Sequence, residues 1–319
     1  MISSSVPSGA LLVDKPEGLT SADVVHRIKI ALRKNAGVPK SLKIGHGGTL
    51  DPFATGVLVI LLGEATKLAD CYLHSTKSYS GDIRLGELRD TGDLTGETIE
   101  RGPAPEMPES DWQILADPFV LEPYWQTPPM YSAKKQGGKA LHELARQGLD
   151  VHRDPILKRI DHFRVYPLGP ALLGFEVTCE SGTYVRVLAQ DLARRAGTVA
   201  HLSRLHRTSS SDLRIEDCAP LATILEELEK NTPVGALPAF RPLGSIARHL
   251  PRLELIPFEI PRVQSGVPSE ISRLIQRADQ MNTRSRYLIA GTPSSPVALL
   301  ERPDPDHPFR LQRIFVHES

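Results

Sequence analysis

Cysteine is scarce. The 319-residue chain has three, Cys71, Cys179 and Cys218, far apart and without the paired spacing of a zinc site or a disulfide framework. The histidines show no HExxH or other ligand spacing, so no metal is expected. Long apolar runs are missing too. The longest, Val57 to Leu62, is far too short to cross a bilayer, and no membrane association is expected. The first nine residues are polar, with neither a basic n-region nor an apolar h-region. No secretory signal is expected, and a cytoplasmic protein is. Net charge is absent as well: 38 Lys and Arg balance 38 Asp and Glu. That argues against a nucleic-acid binder, because phosphate contacts need an excess of cations. With 40% hydrophobic and 24% charged residues, wholesale disorder and collagen-like repetition are excluded.

The charge is nevertheless segregated. From His26 to Gly45 stand Arg27, Lys29, Arg33, Lys34, Lys40 and Lys43, with no acid between them. From Asp82 to Glu122 acids dominate, opposed only by Arg84, Arg89 and Arg101. A basic patch survives zero net charge when the acids lie elsewhere on the surface, although two unrelated solvated faces would read the same way.

The length suits about two domains. Residues 1–9 read as a flexible tail and Ala10 to Val13 as a short strand. Thr20 or Ser21 caps a helix with Asp23 in its first turn and Val24, Val25, Ile28 and Leu32 as its apolar stripe. Val57 to Leu62 reads as a strand buried on both faces, and Tyr79 to Leu85 alternates with Tyr79, Ile83 and Leu85 on one side. Further helices are expected over Lys139–Gln147, from Tyr184 to just before Gly197, and over Leu221–Leu228. Asn231 to Pro242, rich in Pro and Gly, reads as a linker. Beyond it, short strands at Arg252–Phe258, Arg286–Ala290, Pro296–Leu300 and Arg310–Val316 predict a small, mostly β domain.

The stretch Gly45-His46-Gly47-Gly48-Thr49-Leu50-Asp51-Pro52 is the most informative. Its glycines let backbone approach a ligand closely, and Pro52 keeps Asp51 out of the helical region. The carboxylate therefore sits in a loop held by the most apolar strand, where catalytic groups are common; a turn in which it caps a local amide is the even alternative. The glycines fit neither the Walker A spacing nor the dinucleotide fingerprint. Arg186 falls in the first turn of a helix with Thr183 as the expected cap. A cation is mildly unfavourable there, by roughly 0.3–1 kcal/mol; a phosphate or a carboxylate such as Asp51 offsets the cost, and an exposed Arg that simply bears it is the alternative. Tyr79 is by default a core tyrosine, or else a residue that stacks on a base or moves a proton.

Gly45 through Leu58 resembles the signature of the TruB family of pseudouridine synthases. Other segments agree in the family's order: Leu12 to Ser21, Lys77-Ser78-Tyr79, Gln126 to Lys135, Cys179 to Arg186, and His201 to Thr208. Arg89, His142, His206 and Ser209 to Ser211 depart from the commonest pattern. The resemblance implies an α+β fold with a mixed, largely antiparallel central sheet flanked by helices, over residues 10–240. An RNA-gripping insertion is implied at about 124–152, and a PUA-like RNA-binding domain over 248–319, where Val263 to Gly266 aligns best. It implies isomerisation of uridine-55 in the tRNA T-loop to pseudouridine, without a cofactor. The partner is the tRNA T-arm, with no obligate protein partner, so a monomer is expected. By position, Asp51 is the implied nucleophile. Tyr79 stacks on the uracil and joins the proton step, Arg186 pairs with Asp51, and Tyr184 shapes the pocket. His46 fills the space left when the uridine flips out. Lys15, Lys134, Lys135 and Lys139 are implied phosphate contacts. Two rival readings are an RNA-folding module with a vestigial centre and a two-carboxylate glycoside hydrolase, for which no second acid stands out.

Overall fold

The structure, a computed structural model, describes residues 7–35, 38, 41–132, 135–136, 139–141, 144, 149 and 151–316. Its centre is a ten-stranded mixed sheet. The strands are β1 (Gly9–Lys15), β2 (Ile44–His46), β3 (Thr55–Leu62), β4 (Lys77–Leu85), β5 (Ile160–Gly169), β6 (Leu172–Cys179), β7 (Ala200–Ser210), β8 (Leu213–Arg214), β9 (Ala219–Pro220) and β10 (Phe240–Pro242). The main path runs β5-β6-β4-β7-β3-β1-β9, with β2 on β3, β8 on β7 and β10 on β1. Pairing is antiparallel except β7 with β3 and β1 with β9, the largely antiparallel sheet that the family resemblance implies.

Strand β3 is apolar throughout because both its faces are covered. Leu58, Ile60 and Leu62 pack with Val24, Ile28 and Leu32 of helix α1 (Ser21–Asn35). Val57, Val59 and Leu61 pack with Tyr287, Leu299 and Phe315 of the C-terminal unit. Period-two alternation thus feeds two separate cores from one strand. Helix α1 starts as expected: the Asp23 amide donates to Thr20 Oγ1 at 3.0 Å, and the Thr20 amide donates to Asp23 Oδ2 at 2.9 Å. Helices α2 (Ala69–Leu73), α3 (Glu109–Ala116), α4 (Val185–Arg195) and α5 (Leu221–Glu229) also belong to this unit.

The C-terminal unit is a four-stranded sheet, β11 (Arg252–Glu254), β12 (Tyr287–Gly291), β13 (Pro296–Glu301) and β14 (Arg310–Ile314), in that order. Leu288, Ala290, Ala298 and Leu300 form a third core with Val263, Leu274 and Ala278. Those last residues belong to α7 (Glu259–Gln264) and α8 (Pro268–Asp279), which follow α6 (Leu243–Ile246). The two units are also pinned by polar bonds. Lys67 donates to the Ile314 carbonyl at 2.7 Å, the Val316 amide to Glu64 at 2.7 Å, and the Tyr72 hydroxyl to the Ile246 carbonyl at 2.6 Å.

Four sequence expectations change. Asn231 to Pro242 is no linker: Val234, Leu237 and Phe240 are buried, and Phe240–Pro242 extends the main sheet beside β1. Apolar burial overrides the Pro and Gly turn signals there. The C-terminal unit has the expected sheet and adds α7 and α8 to it. The helix expected over Lys139–Gln147 starts later: Lys139–Ala140 pairs as a strand with Lys135–Gln136, while Leu141 and Leu144 are helical. Thr183 is no cap, because its hydroxyl donates to the Glu180 carbonyl, and Tyr184 precedes α4 in extended conformation. Among the described residues no helix is long and apolar enough to cross a membrane.

Candidate active site

Between β2 and β3 the Asp51 loop is tied down almost atom by atom. The Gly47 amide donates to the Val59 carbonyl at 2.9 Å, and a Cβ at Gly47 would lie 2.7 Å from that of Tyr72. Ser21 grips Leu50 twice, accepting from its amide at 2.8 Å and donating to its carbonyl at 3.3 Å. Two buried cations hold the remaining carbonyls. Lys15 Nζ donates to Pro16, Leu19 and Pro52 at 2.8, 2.6 and 3.2 Å. Arg207 donates to Gly48, Thr49 and Val57 at 3.1, 3.2 and 2.7 Å. Gly56 must be glycine: its φ is +99°, and a Cβ would lie 2.3 Å from the Arg207 carbonyl oxygen across β7.

What this scaffold presents is one carboxylate. Arg186 Nε lies 2.9 Å from Asp51 Oδ2, and among the described residues no local amide donates to that carboxylate. The pair is asymmetric, since the Arg186 side chain is 5% exposed and that of Asp51 38%. Arg186 also donates to the Thr91 and Tyr131 carbonyls and lies 3.6 Å from buried Asp93. Asp93 is itself fixed by the Thr91 and Thr95 hydroxyls and the Thr95 amide. Burial pushes the Asp51 carboxyl above the ordinary carboxylate range, and Arg186 opposes that shift. The first-turn cation of α4 thus meets an anion, the partner that offsets its small dipole penalty.

Asp51 opens into a cleft of about 360 Å³ that includes Tyr79, Tyr184, Leu205, Lys77 and Arg207 in its lining. That is the low end of small-ligand pockets, room for a nucleotide rather than folded RNA. A larger cavity of about 470 Å³ beside α5 holds none of these groups. Register brings Tyr79 of β4 opposite Arg207 of β7. Burial raises the Tyr79 phenol, and the positive charge of Arg207 opposes the rise. Gln126 holds Tyr184 from both sides, accepting from its amide at 2.7 Å and donating to its carbonyl at 3.0 Å. A carboxylate beside aromatic and aliphatic walls suits a planar ring attached to an electrophilic carbon.

Comparison with known proteins places this geometry. Residues 33–185 match the family model described as TruB family pseudouridylate synthase, N-terminal domain. The chain is 39% identical to tRNA pseudouridine synthase B of Opitutus terrae over 226 residues, covering 70% of this chain and 90% of that protein. It is 36% identical to the Bacillus velezensis protein of the same name over 278 residues, 84% of this chain and 86% of that one. The chain belongs to the TruB family of pseudouridine synthases. It is 43% identical over 220 residues to tRNA pseudouridine synthase B of Psychrobacter cryohalolentis, but spans only 60% of that protein's length, and 56% of its Psychrobacter arcticus counterpart. In fold it is similar to the chain in the crystal structure of a Cbf5–Nop10–Gar1 complex, with TM-score 0.70 and 22% identity, covering 99% of this chain and 91% of that one.

The other TruB-derived expectations land elsewhere. Lys15 is fully buried, and its three carbonyl partners leave no charge facing solvent; burial draws its pKa down to about 8. It braces the Asp51 loop instead of contacting phosphate. His46 ends β2 outside the cleft lining, and its Nδ1 accepts from the Gly48 amide at 3.3 Å, with burial and Arg207 lowering its pKa. Lys134 lies outside the described residues, and of Lys135 and Lys139 only the backbone hairpin is described.

Three groups around the TruB site escaped the sequence reading. Arg207 and Asp93 are two of them. The third is Lys77, whose buried ammonium donates to the Tyr72, Leu73 and Ser75 carbonyls. Burial and Arg207 lower its pKa to about 7. In a strand pattern a cation reads as solvent-facing, whereas this one turns back onto carbonyls of the turn just before its own strand.

Proposed function

We propose that this protein isomerises uridine-55 in the tRNA T-loop to pseudouridine, with Asp51 as nucleophile on a flipped-out uridine. The observation that carries the reading is the 2.9 Å pair of Asp51 with Arg186, at the edge of a cleft walled by Tyr79 and Tyr184. The reaction conserves atoms. The N1–C1′ bond breaks, the uracil turns, C5 bonds to C1′, and the proton on C5 leaves as N1 gains one. No redox change occurs, so the proposal calls for no cofactor. Asp51 serves this chemistry as an ionised carboxylate fixed by Arg186, capturing C1′, adding to C6, or drawing the sugar toward a glycal. Tyr79 stacks on the freed uracil and takes part in removing the C5 proton. Extruding the base costs a few kcal/mol, offset by stacking in the cleft and by basic contacts to the RNA backbone.

The substrate contacts proposed with it are the T-arm on residues 10–240, with Lys135 and Lys139 toward phosphate, and further RNA contact by a PUA-like unit over 248–319. We place this activity in the cytoplasm and on a monomer. The test is pseudouridine mapping along a whole unmodified tRNA transcript incubated with the purified protein. Product at position 55 alone supports the proposal. Product elsewhere, or none, overturns it.

A further inference from the structure

His74 plays no part in the chemistry above, yet it lines the same cleft as Asp51, Tyr79 and Arg186. It follows α2 and is exposed. Its ring is nevertheless aimed. Nδ1 lies 2.8 Å from the Asp70 carbonyl oxygen and 3.2 Å from the hydroxyl oxygen of Tyr287, on β12 of the C-terminal unit. A carbonyl oxygen only accepts, so Nδ1 carries the proton and donates to Asp70, with the Tyr287 oxygen as a second acceptor. The neutral ring then bears its lone pair on Nε2, on the opposite side. Among the described residues nothing donates to Nε2.

We infer that His74 is a substrate contact whose Nε2 accepts a hydrogen bond from the RNA beside the flipped nucleotide. The donor is a ribose 2′-hydroxyl or a base N–H, and Asp70 and Tyr287 are the residues that aim the ring. The inference rests on the proposed reading of the cleft as an RNA site. It also gives the C-terminal unit a way to influence the cleft, because Tyr287 reaches the rim through His74.

Two isosteric substitutions separate a contact from a structural tie. In His74→Asn the amide N–H replaces Nδ1–H and nothing replaces Nε2. In His74→Gln the amide reaches the Nε2 position and the tie to Asp70 is lost. The experiment measures the Kd of unmodified tRNA and single-turnover pseudouridine formation at saturating RNA. One lost hydrogen bond predicts that His74→Asn binds about 3- to 10-fold more weakly, with its saturated rate within about twofold of wild type. His74→Gln retains most of the affinity. The reverse order, or both variants binding like wild type, overturns the inference. Replacing T-loop 2′-hydroxyls with hydrogen one at a time identifies the donor. The wild-type advantage over His74→Asn vanishes at one position for a hydroxyl and persists throughout for a base. A wild type that binds tRNA but makes no pseudouridine refutes the proposed reaction, independently of how the His74 variants bind.

Discussion

Replacing Arg186 with lysine probes the site at its most connected point. The guanidinium serves Asp51, Asp93 and the Thr91 and Tyr131 carbonyls at once, from a side chain only 5% exposed. A lysine keeps the charge but cannot fork, so it satisfies only some of these partners. Losing the charge-assisted bond to Asp51 forfeits about 1.5–3 kcal/mol, which corresponds to a fall in kcat of about 10- to 150-fold. Leaving one buried carbonyl unpaired costs a further ~1–3 kcal/mol of stability. The pH profile adds a second signature. Burial already raises the Asp51 carboxyl and Arg186 opposes the rise, so a weaker counter-ion raises it further. In the proposed reaction the reactive form is the carboxylate, which is lost as pH falls. The acid limb of kcat therefore moves to higher pH in Arg186→Lys. The assay is single-turnover pseudouridine formation across pH with saturating tRNA. A folded variant with kcat within about twofold of wild type and an unmoved acid limb refutes the idea that Arg186 sets the state of Asp51.

Three further substitutions test the scaffold. Lys15→Met removes a buried brace, so stability falls by about 1–3 kcal/mol per orphaned carbonyl while the salt dependence of tRNA binding stays unchanged; a true phosphate contact flattens that log–log slope by about 0.7–0.9. Gly47→Ala drives a Cβ into Tyr72 and lowers stability by about 1–3 kcal/mol, whereas Gly45→Ala, with nothing within 4 Å, leaves melting temperature and activity alone. Lys77 gives a linkage prediction. Unfolded, it holds its proton to about 10.5, and folded it gives it up near 7, so between those values the unfolded chain binds more protons and stability rises with pH. From about pH 7 to about pH 9 the stability of wild type relative to Lys77→Met grows by about 2 kcal/mol in urea titrations; a flat difference refutes the lowered pKa.

The sequence disclosed those parts of the fold whose causes are local. Strand β3 was legible because two covered faces require an unbroken apolar run, and α1 because Thr20 and Asp23 lie at capping-box spacing. The Asp51–Arg186 pair was suggested by an oddity, a mildly unfavourable cation in the first turn of a helix, and named by the family resemblance. What stayed hidden depends on distant backbone. Nothing near Lys15 announces that its ammonium is fully buried against Leu19 and Pro52, and the usual rule sends a lysine to solvent. Arg207 was hidden for the same reason, and Lys77 because a strand pattern does not show its ammonium folding back onto the turn before it. The stretch 231–242 was misread because Pro and Gly mark turns whether or not Val234, Leu237 and Phe240 between them are buried. Helix α8 carried a readable pattern at Ile271, Leu274, Ile275 and Ala278, but its setting among short strands drew attention to the strands.

The central claim is that Asp51 performs the chemistry on a tRNA uridine, and Asp51→Asn tests it most directly. The substitution is nearly isosteric, so Arg186 can still bond to an amide oxygen there. Pseudouridine is mapped on an unmodified tRNA transcript for wild type and variant, with tRNA affinity measured in parallel. The account predicts modification of the T-loop uridine by wild type, none by Asp51→Asn, and affinities that remain comparable. Modification by Asp51→Asn at a rate near that of wild type would contradict it.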